Sequence, residues 1–179
     1  MASSATMSFT SDAALDTYIS GVKNAHALEK QATQLIERQL ERIENYPEVE
    51  RILRQHLQET EVQIQRLDEI LHSFGEDRSL LKDLATQISG NLAAIAHSVM
   101  PDEILKNHFA NHAFENFEIA AYTSLITMAE ATGHSQHLTA LQTTLREEEK
   151  TAQILRDMTP ELTIKYMRLY EQSAMQAKV

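Results

Sequence analysis

Glu29, Glu59, Glu118 and Glu148 each stand at the centre of an apolar stripe, at positions where a helix packing into a core ordinarily carries leucine. Burying an unpaired carboxylate costs several kcal/mol or forces its pKa upward. A shared cation removes that penalty, because two divalent ions neutralise four glutamates while each carboxylate supplies oxygen ligands. The chemistry to which these residues point is a dinuclear metal site. Their spacing supports it: Glu29 and Glu59 are 30 residues apart, and so are Glu118 and Glu148. That repeat implies two hairpins related by a pseudo-twofold axis, each with its midpoint acids face to face. His26, His56 and Glu115 each precede one of these glutamates by three positions, on the same helical face. Gln63 and Tyr122 each follow one by four. His26 and His56 read as ligands, as orienting groups, or as core-edge histidines bonded to an acid. Gln63 reads as an oxygen ligand or an interhelical hydrogen bonder, and Tyr122 as core packing with a polar tip. Acids are abundant in this chain, and a rotation of one position would bring any one of the glutamates to the solvent boundary.

Long helices must carry these residues. Only three prolines and four glycines interrupt the chain, which favours helices over sheets with many turns. Met1 to Thr10 is small, polar and aperiodic, a tail outside a single domain over residues 11–176. Ser11-Asp12 starts a first helix to about Ile43, with Leu15, Ile19, Val22, Ile36 and Leu40 on its stripe. Pro47 suits the first turn of a second helix, which Gly75 ends. Ser79 to Ser98 reads as a long crossover with a short helix, weakened at Gly90. A third helix runs from about Pro101 to Ala131. Ser135 caps a fourth, which ends near Met158. Thr159-Pro160-Glu161 then opens an additional C-terminal helix to about Gln176, whose Leu162, Tyr166 and Leu169 face the bundle or a partner.

Composition narrows the function classes. With 16 Lys/Arg against 26 Asp/Glu the formal charge is −10, which disfavours nucleic acid and anionic lipid where no basic patch intervenes. The absence of cysteine excludes disulfide scaffolds, thiol catalysis and iron–sulfur clusters. Any metal must be held by carboxylate, imidazole, amide or water. No apolar run reaches the roughly 18 residues of a membrane span, and the first residues lack a signal-like hydrophobic segment. A cytoplasmic location is the expectation.

Several stretches together resemble the YciE/YciF-like ferritin-like family across about Leu15 to Met158. They are His56-Leu57-Gln58-Glu59-Thr60 with Gln63 and Arg66-Leu67, then Glu115-Asn116-Phe117-Glu118-Ile119-Ala120-Ala121-Tyr122, Ala129-Glu130-Ala131-Thr132-Gly133-His134, and Leu145-Arg146-Glu147-Glu148. The resemblance implies an all-α, ferritin-like four-helix bundle, often a homodimer, with a di-iron or related centre; manganese is the alternative. It matches Glu29, Glu59, Glu118 and Glu148 to the central carboxylates, and Glu115 and Gln63 to polar positions beside them. The broader ferritin pattern places a histidine three residues after a glutamate on the second and fourth helices. Here Val62 and Thr151 stand in those places. The function implied is oxygen or peroxide handling in a stress response. The competing reading is a noncatalytic stress-associated structural or interaction protein with a vestigial metal site.

Overall fold

A computed structural model of the chain describes residues 9–76 and 102–178. Within them α1 spans Asp12–Leu40 and α2 Pro47–Ser73, followed by α3 over Glu103–Ala131. A 3₁₀ turn at Ser135–His137 leads into α4, Leu138–Gln172, and a short α5 covers Ala174–Lys178. The Ser11 hydroxyl accepts from the Ala14 N–H at 3.3 Å, and Pro47 opens α2, as the sequence predicts. Gly75 and Gly133 end α2 and α3 at φ 74° and 77°. At that backbone conformation Glu76 N–H reaches Leu71 C=O, and His134 N–H reaches Ala129 C=O. These bonds satisfy the last helical carbonyls.

Two apolar clusters fix how the helices run. One joins Tyr18 and Val22 at the start of α1 to Leu67 and Leu71 at the end of α2, Leu125 and Ala129 at the end of α3, and Leu141 near the start of α4. The other joins Ile36, Val49, Leu53, Ile104 and Leu162 from the opposite ends. Each of the hairpins α1–α2 and α3–α4 is therefore antiparallel, and α2 and α3 run parallel. This is the expected all-α four-helix bundle. The crossover expected over Ser79 to Ser98 lies outside the described residues. At the second end α5 closes the core, where the Tyr46 hydroxyl donates to the Ala177 carbonyl at 2.6 Å. Among the described residues no helix is long and apolar enough to cross a membrane.

Two local expectations change. Ser135 begins the 3₁₀ turn and does not cap α4. More consequentially, α4 continues through Pro160, so the break expected at Thr159-Pro160 is absent. Proline removes one N–H, the donor to the Arg156 carbonyl, and both residues are exposed, so water can satisfy that carbonyl. Leu162 is buried against the second cluster, with Met158, Tyr166 and Leu169 beside it. That apolar burial outweighs one missing hydrogen bond. The residues singled out as facing the bundle or a partner thus pack on the bundle. Pro160→Ala should restore the bond and raise unfolding stability by about 1–3 kcal/mol. Urea denaturation checks this, and a midpoint at or below that of the parent chain would contradict it.

Candidate metal centre

Between the two apolar clusters the core turns polar. His56 from α2, Glu115 and Glu118 from α3, and Glu148 from α4 bring one ligand atom each to within 4.8 Å of one another, and all four are buried. Glu115 and Glu118 are one helical turn apart, which is how one helix contributes two acids to the same place. His56 Nε2 lies 3.1 Å from Glu115 Oε1 and 4.0 Å from Glu148 Oε2. These are close approaches without an aligned hydrogen bond, since Nε2 has no hydrogen-bond partner among the described residues. Glu29 of α1 closes the fourth side at 1% exposure. Its carboxyl is electrostatically coupled to His56 and Glu115, and that of Glu118 to Glu29 and Glu148.

The electrostatics show how costly the arrangement is without a cation. Burial lifts Glu29 to about 7, against the lowering effects of a Tyr122 hydrogen bond and the His56 ring. Burial again leads in raising Glu118 well above the carboxylate range, with the charges of Glu29, Glu148 and Glu115 adding to it. Glu148 is raised by burial and by Glu115, with the Gln63 amide working in the opposite sense. Burial alone would depress His56, but the adjoining Glu115 outweighs it and the ring is raised. Glu29 Oε2, Glu115 Oε2, both oxygens of Glu118 and Glu148 Oε2 are buried with no hydrogen-bond partner among the described residues. Buried polar atoms are normally satisfied, so this concentration of orphaned acceptors in one place is what a bound cation would resolve.

Around this group the side chains are held by further contacts. Tyr122 donates its phenolic hydrogen to Glu29 Oε1. The Gln63 amide donates to Glu148 Oε1, and to Glu147 Oε2 at 3.1 Å. Arg66 in turn grips both oxygens of Glu147. Thr151 Oγ1 lies 3.4 Å from His56 Nδ1, leaving Nε2 on the side of the acids.

The expected residues therefore divide. Glu29, Glu115, Glu118, Glu148, His56 and Gln63 converge. Glu59 sits at the margin, where its Oε1 accepts from Gln55 at 3.0 Å and faces Lys150 at 3.5 Å. Thr60, fully buried, occupies the inward position beside it. His26 is buried but its Nε2 lies 3.1 Å from Asp68, tying α1 to α2 outside the acid group. Sequence reasoning gave no site role to Glu147 or Arg66. Their signal was the placement of Arg66 and Glu147 directly beside stripe positions of α2 and α4, which lets them bracket Gln63 from the rim. Thr151 stands where the broader ferritin pattern has a histidine, and nothing in its spacing announces the contact with His56.

A family model described as "Domain of unknown function (DUF892)" matches residues 13–168. Protein YciF of Escherichia coli (strain K12) is 29% identical over 150 residues, covering 80% of this chain and 88% of that protein. Among solved structures, a protein from Xanthomonas campestris pv. campestris has a TM-score of 0.73 at 23% identity, covering 88% of this chain and 99% of its own. The E. coli stress protein YciF has a TM-score of 0.66 at 24% identity, covering 83% of this chain and 96% of its own. These two structures bear on the fold.

Proposed function

This chain belongs to the DUF892 family, and from that premise we propose that it is a ferritin-like protein with a carboxylate-bridged dinuclear metal centre serving oxygen or peroxide handling under stress. The observation that carries the reading is the set of orphaned, buried carboxylate oxygens from three helices facing one imidazole nitrogen. Several hard oxygen donors with one imidazole suit iron or manganese. His56, Glu115, Glu118 and Glu148 would hold one ion. Glu29, whose charge acts on Glu118 and Glu148, would help to hold a second. A ferrous pair held there would supply two electrons to dioxygen or peroxide.

The chain's own residues then have separable tasks. Thr151 fixes the His56 ring through Nδ1 and so presents Nε2. Tyr122 and Gln63 orient Glu29 and Glu148 by one hydrogen bond each, leaving the second oxygen of each acid free. The Arg66–Glu147 pair holds Gln63 in turn. The apolar clusters above and below exclude water from either end. The stress context is supported by the E. coli relative described as a stress protein. A noncatalytic reading would have the acids paired with basic groups or facing trapped water; both oxygens of Glu118 are buried with no partner among the described residues, which favours the cation over a basic partner.

Metal-stripped protein titrated anaerobically with Fe(II), then desalted and assayed, should retain about two ions per chain, the loading of a bundle-core dinuclear site. Retention of none after reconstitution would overturn the proposal. A ratio of one would reduce the centre to a single ion.

A further inference from the structure

On the side of the acid group away from Gln63 and Tyr122, residues of all four helices line a small cavity. It has about 10 Å³ open to the centre of a water-sized guest, enough for a single small molecule. Its wall is mostly Ala32, Ile36, Leu53, Phe114 and Leu155, and His56 and Glu115 also line it. We propose that this cavity is a docking site for dioxygen or another neutral diatomic, placed against the metal-holding residues His56 and Glu115. The proposal rests on the metal reading above and adds how the substrate reaches the centre.

The polar atoms around the cavity decide what it accepts. A buried water needs two to four hydrogen-bond partners. Asn111 is one of the polar lining residues, but its amide is committed at both ends: Gln39 Nε2 donates to its Oδ1 at 2.8 Å, and its Nδ2 donates to Gln39 Oε1 at 2.9 Å. Thr151, another, has its hydroxyl beside His56 Nδ1. Only His56 and Glu115 remain to receive a water, and a bound ion would claim both. The loaded site therefore leaves a space too poor in partners for water and lined by hydrocarbon, which favours a small neutral guest. The reciprocal Gln39–Asn111 pair also bridges α1 and α3 next to this space, closing it on that side without a charged group.

Opposite faces of the acid group thus differ in kind. Toward the start of α1 lie Tyr122, bonded to Glu29, and the hydrogen-bonded set of Gln63, Glu147 and Arg66, groups suited to charge and protons. Toward its end lies the apolar cavity. Such an asymmetry separates the route of an uncharged oxidant from the polar side of the centre.

Xenon is the probe, because it occupies dry cavities without metal. Crystals of the full chain reconstituted anaerobically with Fe(II) and pressurised with xenon should show it between Ala32, Leu53 and Phe114. Absence of xenon there would overturn the proposal. Ala32→Leu should abolish the xenon site and slow dioxygen-dependent oxidation of bound Fe(II) by about tenfold, a modest consequence of filling a cavity. Iron stoichiometry and oxidation by hydrogen peroxide should stay at parental values. If Ala32→Leu does not fold, Leu35→Phe, at a half-buried lining residue, makes the same test. Loss of xenon with an unchanged dioxygen rate would also overturn the proposal. Xenon bound in a chain that retains no iron would instead preserve the cavity and defeat the metal reading.

Discussion

Replacing Glu118 by glutamine should abolish tight metal binding and, in the same protein, make the metal-free bundle harder to unfold. Among the described residues Glu118 is the acid least compensated, with 0% exposure and neither oxygen hydrogen-bonded. It faces the charges of Glu29, Glu148 and Glu115. As a ligand it is central to the group, and an amide cannot supply the lost charge. In the metal-free chain the same residue is a liability: at neutral pH it either ionises among like charges or takes up a proton that the unfolded chain would release. Glutamine has nearly the shape of the protonated acid and avoids that protonation. The gain should be about 1–3 kcal/mol at pH 7 and should vanish near pH 4, where the unfolded chain is protonated as well. Metal retention and paired denaturant titrations at the two pH values measure both halves. Glu59→Gln is the control, because Glu59 lies at the margin beside Lys150 and Gln55; it should keep both iron stoichiometry and apo stability. A Glu118→Gln chain that binds iron like the parent would remove Glu118 from the centre. One that loses metal but is also less stable at pH 7 would refute the charge argument.

The contrast between Glu118 and Glu59 shows what periodicity can and cannot read. On α2 the inward positions His56 and Gln63 are seven apart, two helical turns. The intervening inward residue can stand at +3 or +4, so Glu59 and Thr60 satisfy the pattern equally. Chemistry favoured Glu59 because it lies 30 residues after Glu29, the same spacing that separates Glu118 from Glu148. Packing turned Thr60 inward. The imidazole of His56, one turn earlier, fills the place the repeat assigned to an acid. On α3 no such ambiguity arises, because Glu115, Glu118 and Tyr122 are three successive inward residues and all point to the same interior.

Helix placement was legible wherever a terminus carried its own chemistry. Ser11, Pro47, Gly75 and Gly133 all act as their types suggest. Pro160 misleads for the complementary reason. A local breaker was set against Leu162, Tyr166 and Leu169, and its penalty falls on an exposed carbonyl, whereas the leucine lies at 1% exposure in the core. His26 illustrates the same limit for polar contacts. Its spacing from Glu29 is that of a ligand, but its partner Asp68 comes from another helix, and no pattern within α1 announces it.

The metal-free protein should lose stability as pH rises above 6.5, while the metal-loaded protein gains on it. A group whose folded pKa is raised stabilises fully below its unfolded value, and the stabilisation disappears as pH rises through the folded value. Glu29, at about 7 in the fold, accounts for a loss on the order of 3 kcal/mol between its unfolded value and neutrality. Glu118 and Glu148 are raised in the same sense and continue the loss above neutrality, and His56, also raised, adds its share above its ordinary range. His108 and His137 act oppositely. Burial depresses both, so their contribution is present above the ordinary histidine range and is lost as pH falls through their folded values. Their influence is confined below about 6.5, which leaves the higher window to the acid group. Metal inverts the slope there, because coordination needs the carboxylates ionised and His56 neutral, so binding expels protons and tightens as pH rises. Urea unfolding from pH 6.5 to 8, with and without Mn(II), should show a falling midpoint in the stripped chain and a gap that widens with pH. Calorimetry in two buffers of different ionisation enthalpy should register proton release on binding. A stripped chain that becomes steadily more stable across this window would mean that the acids are already ionised and compensated by the protein, leaving a cation nothing to neutralise.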